Sequence, residues 1–172
     1  MVSWRADAPA TLVWAEAQDG GDQNREAPVR DAVLTLAAPF DAAPATLAQL
    51  GRRYAGIAWG NGQVALLNER WFKTRWARRW QIAPDNPQLA PKLLSDRSSQ
   101  DRYNDPGMPL LRTADNGQRL LQFSDDGQAI FLAGAGASEA GDRPFVDRFD
   151  LASASATRVF QSTPGQYSQP LA

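Results

Sequence analysis

One unit occurs three times along this chain and limits what the chain can fold into: an aromatic residue, a polar turn, then a short apolar strand. Its copies are Trp4-Arg5-Ala6-Asp7-Ala8 leading into Leu12-Val13-Trp14, Trp59-Gly60-Asn61-Gly62 into Val64-Ala65-Leu66-Leu67, and Phe123-Ser124-Asp125-Asp126-Gly127 into Ala129-Ile130-Phe131-Leu132. Asn-Gly and Asp-Gly tolerate the positive φ angles of a tight hairpin, so each copy predicts two antiparallel strands. Two more strand-like runs follow each copy. They are Ala32–Leu36 and Thr46–Leu50, then Arg79–Ile82 and Pro91–Leu94, then Phe145–Leu151 and Thr157–Phe160. Four short strands per unit predict an all-β fold: a partial β-propeller of about three four-stranded antiparallel blades, at 1–52, 53–112 and 113–165. One stretch is ambiguous, because Ala43, Leu47 and Leu50 also suit one or two helical turns.

A closed propeller takes roughly 4–8 blades, so three leave the ring open. The chain also starts and stops in strand-like text, at Ser3-Trp4 and at Gln169-Pro170-Leu171-Ala172. We therefore expect a piece of a longer protein, with several copies completing a ring as the alternative. Within a single chain the terminal blade faces lack partners, and self-association is expected.

Composition narrows the chemistry. With 43% apolar and 22% charged residues and a net charge of −1, the chain reads as an ordinary soluble globular protein. It has no cysteine, which excludes disulfides and thiolate metal sites. It has no histidine either, so these residues cannot provide the imidazole of a serine triad. No Gly-x-Ser-x-Gly elbow occurs, since Gly136-Ala137-Ser138-Glu139-Ala140-Gly141 is one residue too long. Paired carboxylates could still hydrolyse glycosides, but the acids sit mostly in turns such as Asp19-Gly20-Gly21-Asp22, Asp115-Asn116-Gly117 and Asp125-Asp126-Gly127. None has the spacing of a calcium loop. We expect no catalytic residue, no metal ligand and no cofactor. No apolar run approaches the roughly 20 residues of a membrane span, and the first residues lack the apolar core of a signal peptide.

The segment from Arg70 to Trp80 interleaves cations with aromatics, the composition of a single-strand nucleic-acid platform or a membrane-surface helix. Its spacing argues for strands instead. A period of two places Trp76, Trp80 and Ile82 on one face and Arg75, Arg79 and Gln81 on the other, as in two strands flanking a turn. Neither nucleic acid nor membrane is expected as a partner.

Longer motifs carry a family resemblance. Asn68-Glu69-Arg70-Trp71-Phe72-Lys73-Thr74-Arg75, Trp80-Gln81-Ile82-Ala83-Pro84-Asp85 and the run from Leu93 to Gly107 resemble the propeller of the glutamyl endopeptidases, a branch of the prolyl oligopeptidase family of serine peptidases. Ser3–Pro9, Trp14–Asp22 and Gly141-Asp142-Arg143-Pro144-Phe145 are similar to the same branch. The resemblance implies an α/β-hydrolase domain C-terminal to the propeller, absent from these residues, that holds the nucleophilic serine. It implies a propeller that caps the active site and filters peptide substrates. It also implies a periplasmic or secreted protein if the source is a bacterium. A substrate glutamate needs a cation, because a buried carboxylate without a partner is costly. Arg70, Lys73, Arg75, Arg97 and Arg102 are the substrate-binding candidates. The alternative is that these side chains brace loops through ion pairs with Glu69, Asp96, Asp101 and Asp105. At the level of function, the alternative is a stand-alone propeller-type module that binds protein or glycan.

Overall fold

A computed structural model describes residues 2–168 of the chain. The polypeptide divides into two compact units, Met1–Ser98 and Ser99–Ala172. The C-terminal Gln169-Pro170-Leu171-Ala172 run lies outside the described residues.

The first unit holds two four-stranded antiparallel sheets, each with its strands in chain order. Sheet 1 is β1 (Val2–Trp4), β2 (Thr11–Ala17), β3 (Asp31–Ala37) and β4 (Ala45–Leu50). Cross-strand partners share a face. The register Ala15↔Val33↔Ala48 therefore gathers the buried Val13, Val33 and Ala48 on one side of the sheet. The register Val2↔Trp14↔Leu34 and Trp4↔Leu12↔Leu36 makes the opposite side apolar as well, yet Val2 and Trp4 stay 59% and 57% exposed. The stretch that also suited helical turns is strand β4. A register shift opposite Val33/Leu34 accompanies two consecutive buried residues, Leu47 and Ala48, a pattern that mimics helical spacing in the sequence.

Sheet 2 is β5 (Arg53–Asn61), β6 (Val64–Trp71), β7 (Trp76–Ile82) and β8 (Lys92–Ser98). Along β7 the expected alternation holds, with Trp76, Arg78, Trp80 and Ile82 on one face and Ala77, Arg79 and Gln81 on the other. Arg75 sits in the turn before the strand, at φ +57°. The Asn61-Gly62 turn is closed differently from the expectation. Asn61 Oδ1 accepts the N–H groups of Gln63 and Val64, and Gly62 has no positive φ. A side chain at position 62 would meet the Asp85 carboxylate, which would have to swing aside to admit it.

A half-open pocket of about 250 Å³ is lined by residues of both sheets, Ala48, Gln49, Leu50, Leu67, Trp80 and Pro91.

The second unit contains one four-stranded antiparallel sheet, ordered β14-β13-β12-β9, from β9 (Met108–Pro109), β12 (Ala129–Gly134), β13 (Phe145–Asp150) and β14 (Ser155–Gln161). A separate two-stranded hairpin, β10 (Leu111–Thr113) and β11 (Arg119–Leu121), lies in the chain between β9 and β12. Leu121, Ala129, Ile130, Leu132, Phe145 and Phe149 form its core. The strand facing β12 thus begins at Met108, within the stretch grouped by sequence with the second unit of the repeat. Only two residues of β9 pair with β12, too few to stand out as a period-two pattern.

Candidate functional site

The cations that a peptide carboxylate could use gather at one end of the first unit, around the β6–β7 turn and the β2–β3 loop. The register Arg53↔Arg70↔Ala77↔Arg97 places these side chains in one row across sheet 2. Arg70 and Arg75 are exposed. Neither guanidinium has a hydrogen-bond or ion-pair partner among the described residues, so each keeps its donors for a ligand. Lys73, in the same turn, donates to Asn24 Oδ1 of the β2–β3 loop at 2.7 Å. Arg97 donates to the Ser98 carbonyl at 3.0 Å. Exposed aromatic surface borders the cations: Phe72 and Trp76 stand out to solvent, and Phe72 meets Trp71 edge-on at 5.6 Å. Planar guanidiniums beside aromatic faces suit a carboxylate carried on an otherwise apolar or extended segment.

The remaining candidate, Arg102, belongs to the second unit and is engaged there. Its guanidinium binds both oxygens of Asp142, at 2.9 and 3.0 Å. The bracing reading thus describes Arg102, though through Asp142, while Asp101 accepts from the main chain and side-chain amide of Asn104. Glu69 and Asp96 likewise serve other arginines. Arg78 bridges them, at 3.6 and 2.8 Å, and Arg52 reaches Asp96 at 3.2 Å.

What holds this end in place is a set of buried charges for which the sequence offered no pattern. Asp19 is read from sequence as a turn residue, and its Oδ1 does accept the Gly21 N–H at 3.0 Å. Its side chain is also fully buried, and it receives Arg53 from β5 at 2.7 Å on both oxygens and Arg30 at 3.0 Å. Burial would push the Asp19 carboxyl up, but the Arg53, Gly21 and Arg30 donors outweigh it and hold the carboxyl below its ordinary value. Arg53 also binds Asp31 at 2.6 Å, and Asp31 accepts the Tyr54 N–H at 2.7 Å. Arg30 lies 4.0 Å above the Trp71 ring. The β2–β3 loop is thereby tied to the start of β5 and to the edge of the β6–β7 turn.

Glu69 is the second buried acid. It accepts the Arg52 main-chain N–H at 2.8 Å and the Trp80 indole N–H at 3.1 Å. At the opposite end of the strands Arg5 clamps the two sheets, binding Asp7 at 2.8 Å and Asp85 at 2.6 Å with its guanidinium 5.5 Å from the Trp59 ring. Asp7, Asp19, Asp31 and Glu69 so placed are structural clamps, because both oxygens of each already accept a donor. Among the described residues no group of three or more acidic side chains could hold a metal ion.

Strands in up-and-down order, four to a sheet and three sheets in succession, are the construction of propeller blades. No family model matches the chain. Two curated plant proteins do match it, both named probable glutamyl endopeptidase, chloroplastic. The Arabidopsis thaliana protein is 41% identical over 172 residues and the one from Oryza sativa subsp. japonica 42% identical over 171, in each case across 96% of this chain. The chain spans 18% of their length. Over nearly its whole length it is similar to one part of proteins named glutamyl endopeptidase, as the motifs from Asn68 to Gly107 suggest. Among solved structures, TolB from Acinetobacter baumannii aligns over 90% of this chain and 31% of its own, at 14% identity and a TM-score of 0.48. An oligogalacturonate lyase in complex with manganese aligns over 88% and 33%, at 14% identity and a TM-score of 0.44.

Proposed function

We propose that this chain is a non-catalytic propeller segment of a serine endopeptidase of the prolyl oligopeptidase family. In that parent it covers the active site and filters peptides that reach a separate α/β-hydrolase domain. The observation that carries the reading is the 41–42% identity over 96% of the chain to proteins named glutamyl endopeptidase. The absence of histidine among the 172 residues supports a division of labour, since the triad's proton carrier must then come from another part of the protein. Within the segment, Arg70 and Arg75 are the side chains offered to a substrate carboxylate. Lys73 contributes charge but is held by Asn24. Arg97 and Arg102 serve the local structure.

Grafting tests both parts of the reading. This chain replaces the matching segment of the Arabidopsis relative, and hydrolysis of glutamate-containing and uncharged peptides is followed. The chain alone should show no turnover, and the graft should be active. Arg70→Gln with Arg75→Gln should lower kcat/KM for glutamate peptides about tenfold, the scale of one or two charge-assisted contacts, with little change for uncharged ones. Hydrolysis by the isolated chain after protease contaminants are removed contradicts the division of labour. Equal effects on both peptides contradict the assignment of the cations.

A further inference from the structure

The first strand of the third sheet is interrupted, and what interrupts it is a hairpin. In sheet 2 the corresponding strand, β5, runs without a break from Arg53 to Asn61, with local bulges. In the second unit, Met108 and Pro109 pair with Ala133 and Leu132, and the Leu110 N–H bonds to the Phe131 carbonyl. The chain then leaves the ladder. It returns at Gln122, whose N–H bonds to the Leu110 carbonyl, and the ladder resumes with Phe123 opposite Ile130 and the Ser124 N–H on the Ala129 carbonyl. Residues 111–121 are thus spliced into one strand and emerge from its middle as β10 and β11. Leu121 anchors the base and is fully buried. Beyond it, Arg112, Thr113, Gln118 and Arg119 are exposed.

Three further properties point to a ligand. First, β10 and β11 pair only with each other among the described residues, so each offers an outer edge to which an extended chain can add. Second, the hairpin carries two arginines against one aspartate, Asp115 in the turn. Arg119 is partly engaged, reaching the Leu111 carbonyl at 3.3 Å, while the Arg112 guanidinium has no partner among the described residues. Third, it springs from the first-strand edge of its sheet.

We propose that the 111–121 hairpin is a substrate-contacting finger that takes an extended acidic peptide, main chain along a hairpin edge and carboxylates on Arg112 and Arg119. The inference rests on the peptide-handling reading above only for the choice of ligand.

The probe is a fluorescein-labelled decapeptide of alternating glutamate and alanine, titrated with the 172-residue chain at low ionic strength and followed by anisotropy. Arg112→Gln with Arg119→Gln should weaken binding about fivefold or more, the upper range for exposed ion pairs, with unchanged circular dichroism. An alternating glutamine–alanine peptide should bind no better to the wild type than to this variant. A benzophenone-bearing form of the acidic peptide should cross-link within residues 111–121. Binding that survives this variant but is lost with Arg70→Gln and Arg75→Gln overturns the inference while leaving the proposed site intact. Absence of binding, or cross-links confined to other segments, also overturns it.

Discussion

Removing the Glu69 carboxylate should loosen the first unit more than any other single side-chain truncation on sheet 2 outside the apolar core. The side chain is 1% exposed, and two donors depend on it, the Arg52 main-chain N–H and the Trp80 indole N–H. Truncation to alanine leaves both without an acceptor, at about 1–3 kcal/mol for each buried donor. Arg52 and Trp80 are themselves only half-buried, so water recovers part of the loss. The expected net destabilisation is about 2–3 kcal/mol. Arg78 adds little to this sum, because its closer carboxylate is Asp96 and the pair is partly exposed. Glu69→Gln should cost about half as much, since an amide offers one oxygen where two are used and aims an N–H at the other donor. The assay is urea unfolding followed by tryptophan fluorescence. All six tryptophans, at positions 4, 14, 59, 71, 76 and 80, lie in the first unit, so the signal reports that unit by itself. With a slope of roughly 1–3 kcal/mol per molar urea, the Glu69→Ala midpoint should fall by about 1–2 M. A midpoint equal to wild type, or Glu69→Gln behaving like wild type, would refute the argument that the two donors need this carboxylate.

Acid should weaken the same unit in a defined window. For Asp19 and Asp96 burial favours the neutral form, but the arginine donors, Arg53 on Asp19 and Arg78 with Arg52 on Asp96, outweigh it and depress both carboxyls in the fold. Their stabilisation is complete above the ordinary carboxylate pKa of about 4 and is lost as pH falls through the lower folded-state values. The urea midpoint should therefore hold steady down to about pH 5 and then drop, and Asp19→Asn should flatten that drop; an unchanged profile in the variant contradicts it. In the second unit, Gly107→Ala should lower the thermal midpoint well beyond Gly165→Ala. Both glycines have φ near +80°, but a Cβ at 107 meets the Ala133 carbonyl and one at 165 meets nothing, so equal melting shifts by circular dichroism would count against the close-packing account. The exposed Val2, Trp4 and Phe40 on and beside the outer side of sheet 1 should drive concentration-dependent association that Trp4→Glu reduces. A wild-type chain that sediments as a monomer at high concentration shows that this side of the sheet is self-sufficient.

Much of the fold was legible because it is written in short-range patterns. Turn residues at Asn61-Gly62 and Asp126-Gly127, and period-two alternation as in Phe145–Asp150, report a local geometry that any antiparallel sheet must satisfy. Motif order over the whole chain carried the resemblance to glutamyl endopeptidases as well. The pairing of charges was not legible, because it depends on which strands end side by side. Asp19 meets Arg53 and Glu69 meets Trp80 only once sheets and registers are set, so Asp19 read as a turn residue and Glu69 as a partner for the wrong arginines. Five candidate cations looked alike in sequence. Tertiary structure separated them, leaving Arg70 and Arg75 open, tying Lys73 to Asn24, and committing Arg97 and Arg102 to Ser98 and Asp142. The spliced hairpin was hidden for a related reason. Met108–Leu110 and Gln122–Ser124 are each too short to register as strands, and only their common partner β12 makes them one. Local chemistry is encoded residue by residue, whereas the meeting of distant residues is decided by the register of strands that the local code leaves free.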